Sequence, residues 1–240
     1  MVNKIMSEKI ALLIDVENTS DKYVEDIFSE INKYGKITVK RMYGDFSSDN
    51  IREWAKKGLE NAIVPIHQNR YTASKNASDI MLVIDAMDIL FQDLVDIFCI
   101  VSSDSDFTRL ASRLREGGKK VIGMGKSNAS KTFITACDEY KFLDKISSEN
   151  VENVENDTEE SSITSVNVIK NILNRMMQNA ENDGHKLNMG SAKSQLQKEI
   201  SDFDERNYGY TSFRKFIESE TRFSVEIEGS TAFIMRKGQK

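Results

Sequence analysis

The sequence predicts a doubly wound α/β sheet followed by a small α+β unit of three helices and a hairpin. Three observations carry this expectation. Through residues 1–146, short apolar runs alternate with amphipathic stretches at a spacing of about 20 to 35 residues. Residues 147–165 then carry six acids and no base. Beyond them the rhythm changes to helical stripes and two short alternating runs.

In the first part, residues 10–14, 37–43, 62–66, 97–101 and 120–124 read as strands, with a weaker sixth at 140–143. Between the first two, Tyr23, Val24, Ile27, Phe28, Ile31 and Tyr34 recur at helical spacing behind Ser20 and Asp21. Ile51 with Trp54 marks a second helix, and Ile80, Val83, Ile84 and Met87 mark the core stripe of a third. Phe107, Leu110, Ala111 and Leu114 make a fourth, ended by Gly117-Gly118. Strands joined by helices imply right-handed βαβ units and a parallel sheet. Wholly apolar runs such as IFCIV suit strands covered on both faces. Pro65, the sole proline, suits a strand end or a sheet edge.

Residues 147–165 cannot bury enough surface to offset the entropy of ordering them, so they read as a flexible, self-repelling linker. After it, Val166, Ile169, Leu173, Met176 and Met177 form one helical stripe, residues 192–200 around Leu196 a second, and Phe213, Phe216 and Ile217 a third. Residues 223–227 and 231–235 alternate around Glu228-Gly229-Ser230, a hairpin signal. Three helices and a two-stranded ribbon outline a winged helix. The expected domains are therefore 1–146 and 166–240, joined by 147–165.

The net charge of −5 over 240 residues at first argues against a polyanionic partner. Divided by segment it is −1 for 1–146, −6 for 147–165 and +2 for 166–240. The acidity is mostly linker acidity, so nucleic acid is not excluded. No apolar run approaches the ~18 residues of a membrane span. Cys99 and Cys137 lie in apolar segments, which points to buried thiols in a reducing, cytoplasmic setting. Two cysteines and two scattered histidines, His67 and His185, do not make a zinc site.

Ligands of an open α/β sheet sit beyond the carboxyl ends of the strands. Asp15 follows the first strand, and Asp104 and Asp106 follow the fourth. Asp79 opens the third helix at the border of its Ile80/Val83 stripe, with Asp85 and Asp88 on the more exposed side. If strands one and four are neighbours, these acids converge. Singly, Asp104 or Asp106 serves as well as a helix cap, and Asp15 as a brace for the following turn. Together, such carboxylates repel unless a cation neutralises them. A hard ion such as Mg²⁺ or Mn²⁺ is the natural remedy and can activate water against a phosphodiester.

Four segments, IALLIDVENTS, YTASKNASDIMLVIDAMDIL, IVSSDSDFTRLASRLREGGKKVIGMG and FITACDEYKFL, resemble the NYN domain of LabA-like proteins, a branch of the PIN-like nucleases. The resemblance spans about residues 8 to 145. It implies a Mg²⁺- or Mn²⁺-dependent ribonuclease whose metal-binding and catalytic acids are Asp15, Asp79, Asp104 and Asp106. Asn18 matches a family position beside the first acid and joins the substrate-binding set. Ser103 departs from the glycine that many relatives carry there. The C-terminal part is similar to the OST-HTH (LOTUS) winged helix, which implies RNA binding.

Bases near the acids would meet phosphate. Arg70 and Lys75 precede Asp79, while Lys126 and Ser127 follow the fifth strand in GMGKSNASK. That loop is not a Walker A motif, since Lys120 stands where the motif needs glycine and the loop follows the wrong strand. In the winged helix, Tyr208, Tyr210, Arg214, Lys215 and Arg222 cluster on and around the third helix; Arg214 and Lys215 are the expected RNA contacts, and the tyrosines read as core aromatics. The expected activity is metal-dependent RNA hydrolysis. The alternative is an adaptor that binds RNA or protein without catalysis.

Overall fold

The computed structural model describes residues 7–47, 51–67, 77–146 and 162–237. They divide into two units, Met1–Ser162 and Ile163–Lys240.

The first unit contains the strands β1 (Lys9–Asp15), β2 (Lys36–Gly44), β3 (Val64–His67), β4 (Ile97–Val101), β5 (Lys120–Gly125) and β6 (Glu139–Phe142). All pair in parallel, in the order β3-β2-β1-β4-β5-β6. Around them lie α1 (Val24–Ile31), α2 (Arg52–Glu60), α3 (Ala77–Phe91), α4 (Thr108–Glu116), α5 (Lys131–Ala136) and α6 (Leu143–Ile146). The apolar runs are explained by position. β1 and β4 are the two central strands, and every residue of 10–14 and 97–101 is buried. Leu12 and Ile14 pack among Ile27 and Ile31 of α1 and Trp54 of α2. Ala11 and Leu13 point the other way by the two-residue strand period and are equally buried. Burying each such side chain contributes roughly 1.5–3 kcal/mol. Pro65 lies on β3, an edge strand, where its missing donor disrupts least.

The strand order reverses between β1 and β4, because β2 and β3 build outward on one side before the chain crosses to the other. The pairing of Ile14 with Val101 sets Asp15 level with Ser102. The crevice at this switch in strand order is where an α/β sheet binds ligands.

One helix faces otherwise than its stripe predicts. The core side of α3 is Leu82, Ala86, Ile89 and Leu90, whereas Ile80 and Ile84 are 55% and 47% exposed. Because α3 is apolar nearly all round, periodicity alone does not select a face. Its acids do. Asp85, expected on the exposed side, accepts a hydrogen bond from Tyr43 Oη at 2.9 Å and an ion pair from Arg41 at 2.8 Å. These contacts turn the Leu82 edge inward. Both cysteines are free and buried; burial raises both thiols, Cys137 to about 12, and leaves them unreactive.

The second unit comprises α7 (Val166–Asn182), β7 (Leu187–Asn188), α8 (Met189–Glu199), α9 (Phe213–Ser219), β8 (Phe223–Glu228) and β9 (Thr231–Arg236). Ile169, Leu173, Met176 and Met177 of α7 meet Leu196, Phe213, Phe216 and Ile217 in a core of their own. Gly229 adopts φ 61° in the two-residue turn between β8 and β9, a conformation disfavoured for side chains. The sheet is three-stranded rather than the two-stranded ribbon expected, in the order β7-β9-β8. At two residues, β7 is too short to display a period, and pairing of Leu187 with Ile234 alone reveals it. Residues 147–161, most of the expected linker, lie outside the described residues.

Candidate active site

Asp15 ends β1 and is 1% exposed. Its Oδ1 accepts from the backbone N–H groups of Glu17 (3.1 Å) and Asn18 (3.3 Å). Its Oδ2 accepts from Asn18 Nδ2 (2.8 Å) and Ser102 Oγ (2.7 Å). Burial raises the Asp15 carboxyl above its usual range, and the bonds from Asn18, Ser102 and Glu17 offset that in part.

On the neighbouring strand end, Ser102 is fully buried and its Oγ also accepts the Asp104 N–H at 3.0 Å. One hydroxyl thus ties β1 to the turn after β4. Asp104 Oδ1 accepts the Asp106 N–H at 2.9 Å and caps a short 3₁₀ turn, Ser105–Phe107, ahead of α4. The cap and a place beside Asp15 are compatible, since the cap engages one oxygen. Asp106 is exposed on that turn.

Asp79, in the first turn of α3, faces the same crevice. Its carboxyl is pushed up to about 6, by burial first and then by the charges of Asp15, Asp104, Glu17 and Asp106. The four predicted acids therefore share one electrostatic neighbourhood, drawn from β1, α3 and the turn after β4.

Glu17 and Ser102 belong to this neighbourhood and were absent from the sequence-predicted set. Glu17 accepts from Ser78 Oγ and from the Asp45 N–H, both at 3.2 Å, which leans it between α3 and the end of β2. Its place two residues after Asp15 was the available signal. Ser102, one serine of several in SSDSD, had none.

The other predicted residues distribute differently. Asn18 spends its amide on Asp15, so it orients that carboxylate. Lys126 is exposed at the end of β5, with its backbone N–H on Ser103 Oγ at 2.8 Å. Gly125 before it has no room for a side chain, because a Cβ would stand 2.6 Å from Ser102 O and 2.3 Å from Tyr140 Oη. Ser127 turns to Asp144, donating its N–H at 2.9 Å and its hydroxyl at 2.5 Å. Arg70 and Lys75 lie outside the described residues. Arg214 and Lys215 are in the second unit, exposed on α9, with Arg214 paired to Glu218 at 2.8 Å. Tyr208 and Tyr210 pack on Phe216 as core aromatics.

Among the described residues, no three carboxylates, histidines or cysteines stand as a direct ligand set for one ion. The donors nevertheless fit Mg²⁺, which keeps several waters and takes one or two carboxylates directly. The Asp79 carboxyl is raised by burial first and by the neighbouring acids second, and a cation beside it would lower it.

Residues 9–144 match the family model of the NYN domain, and residues 163–234 match that of the OST-HTH/LOTUS domain. An uncharacterized protein of Methanocaldococcus jannaschii is 28% identical over 138 residues, covering 55% of this chain and 53% of its own length. The match thus spans about half of that relative. A crystal structure of a protein of unknown function from Vibrio parahaemolyticus is 25% identical, with a TM-score of 0.48, over 58% of this chain and 95% of its own.

Proposed function

From the premise that this chain belongs to the NYN domain family, we propose that it hydrolyses RNA phosphodiester bonds with Mg²⁺ or Mn²⁺ held by Asp15, Asp79, Asp104 and Asp106. The observation that carries the reading is geometric: Asp15 at the end of β1, Asp104 and Asp106 in the turn after β4, and Asp79 in the first turn of α3 gather at the switch in strand order. Acids gathered this way repel one another, and a bound cation would offset that repulsion. A bound divalent ion supplies an activated water and charge stabilisation for the phosphate. The protein residues do the positioning. Asn18 and Ser102 fix the Asp15 carboxylate in one orientation. Ser102 also holds the Asp104 turn against β1, so the acids keep their spacing. Asp106 and Lys126 are both exposed, and Lys126, just after β5, offers a positive charge to a phosphate.

The test is cleavage of a labelled RNA in Mn²⁺ by the unaltered chain, Asp15→Asn and Asp104→Asn. Both variants should lose at least about 100-fold in rate, the scale expected when transition-state charge stabilisation is removed. Equal cleavage by all three proteins sinks the assignment.

A second reading has its own support. The four hydrogen bonds on Asp15 and the cap made by Asp104 are what structural acids would show, consistent with an RNA- or protein-binding adaptor. Millimolar Mn²⁺ separates the two: a nuclease site raises the melting temperature in the unaltered chain and not in Asp104→Asn, whereas an adaptor shows no such gain.

A further inference from the structure

The second unit carries a basic recess that neither Arg214 nor Lys215 lines. A cavity of about 680 Å³ opens between α7 and the base of the β8–β9 hairpin, and no acid lines it. Asn174, Arg175 and Gln178 face it from one side of α7, and Arg222, Arg236 and Lys237 from the hairpin. The register pairs Phe223 with Arg236, which brings the hairpin bases together at the open end of the ribbon.

The four cations are held to different degrees. Arg175 is paired to Glu199. Arg236 has only Glu181 near it, at 3.7 Å, and its Nε is buried without a hydrogen-bond acceptor among the described residues. Lys237 Nζ donates to the backbone carbonyls of Glu218 and Glu220 and has no ion pair among the described residues. Arg222 is exposed and makes no ion pair among the described residues. By contrast, α9 offers Lys215 and one arginine already paired within its own helix.

We propose that this recess, and not α9, is where the second unit grips single-stranded RNA; the inference rests on the RNA reading given above. Guanidinium groups bind phosphate through paired donors and stack on bases. Amide side chains add donors and acceptors that can read base edges. The size of the cavity suits one or two unstacked nucleotides, which a single strand can splay and a duplex keeps stacked. Arg222 and Lys237 meet the phosphates, and Asn174 and Gln178 contact the inserted base.

The experiment uses the full chain in EDTA, so that binding is read without cleavage. Fluorescence anisotropy with a labelled single-stranded RNA compares the unaltered chain with Arg222→Glu, Asn174→Asp and Arg214→Glu, each checked for an unchanged melting curve. Arg222→Glu should weaken binding about tenfold and flatten its salt dependence, with a smaller loss for Asn174→Asp and little change for Arg214→Glu. Ultraviolet cross-linking should place the second unit's cross-links within residues 171–178 and 221–237. Unaltered affinity in both recess variants, or cross-links in that unit confined to 208–219 or absent, overturns the recess alone. Failure of the unaltered chain to bind any RNA overturns the RNA reading and the recess with it.

Discussion

Asp79 shows how a single carboxyl couples charge to stability. Its folded-state value near 6 lies above the ordinary 3.8, so the folded protein holds a proton that the unfolded chain has released. Without metal, the stability this confers is full below about pH 3.8 and is lost as pH rises through 6. Asp79→Asn should therefore raise the melting temperature in EDTA at pH 7 and leave it nearly unchanged at pH 4; thermal unfolding at the two values checks this. A substitution that lowers stability at pH 7 would show that the repulsion is not felt. Asp15 was legible in the sequence because it directly follows an apolar run, and Asp104 and Asp106 because they come within five residues of the end of another. Ser102 and Glu17 were not. A hydroxyl that bonds a buried acid 87 positions away has no local pattern, and an acid in a turn looks like solvent-facing charge until Ser78 is seen to donate to it.

At the scale of elements, β1, β4 and β5 could be read from their apolar runs because a doubly covered strand tolerates little else. The facing of α3 could not. A helix apolar on most sides fits its sheet in more than one rotation, and the Tyr43 and Arg41 contacts to Asp85 choose between them. This choice has a measurable consequence. Leu82→Ala should cost about 2–5 kcal/mol, as for other buried leucines. Ile84→Ser, on the half-exposed side, should change stability by less than about 0.5 kcal/mol. Denaturant titration of both variants decides, and a reversed order would restore the Ile80/Ile84 face as the core. The missed β7 teaches the complementary lesson, since two residues join a sheet through their partner's register and not through their own composition.

For the molecule as a whole, two separate cores imply two separable stabilities. The cluster around Leu12, Ile27 and Trp54 shares no residue with that around Leu173, Leu196 and Phe216. Calorimetry should resolve two transitions, and Leu82→Ala should lower only one of them. Mn²⁺ should raise that same transition if the acidic crevice binds it. A single transition displaced equally by the substitution and by the ion would mean that the units unfold as one.

The strand order also governs what exists while the chain is being made. β1 emerges early, yet one of its two hydrogen-bonding edges is filled only by β4, some eighty residues later. Until then that edge presents unpaired N–H and C=O groups flanked by apolar side chains, the kind of surface on which nascent chains stick to one another. Ser102 arrives with the same late segment, so Asp15 has only its bonds from Glu17 and Asn18 through that interval. Synthesis halted before residue 97 would thus leave a fragment that is both adhesive and without its acidic crevice, and the ribosome delivers cover for the edge and partners for the acid in the same stretch of polypeptide.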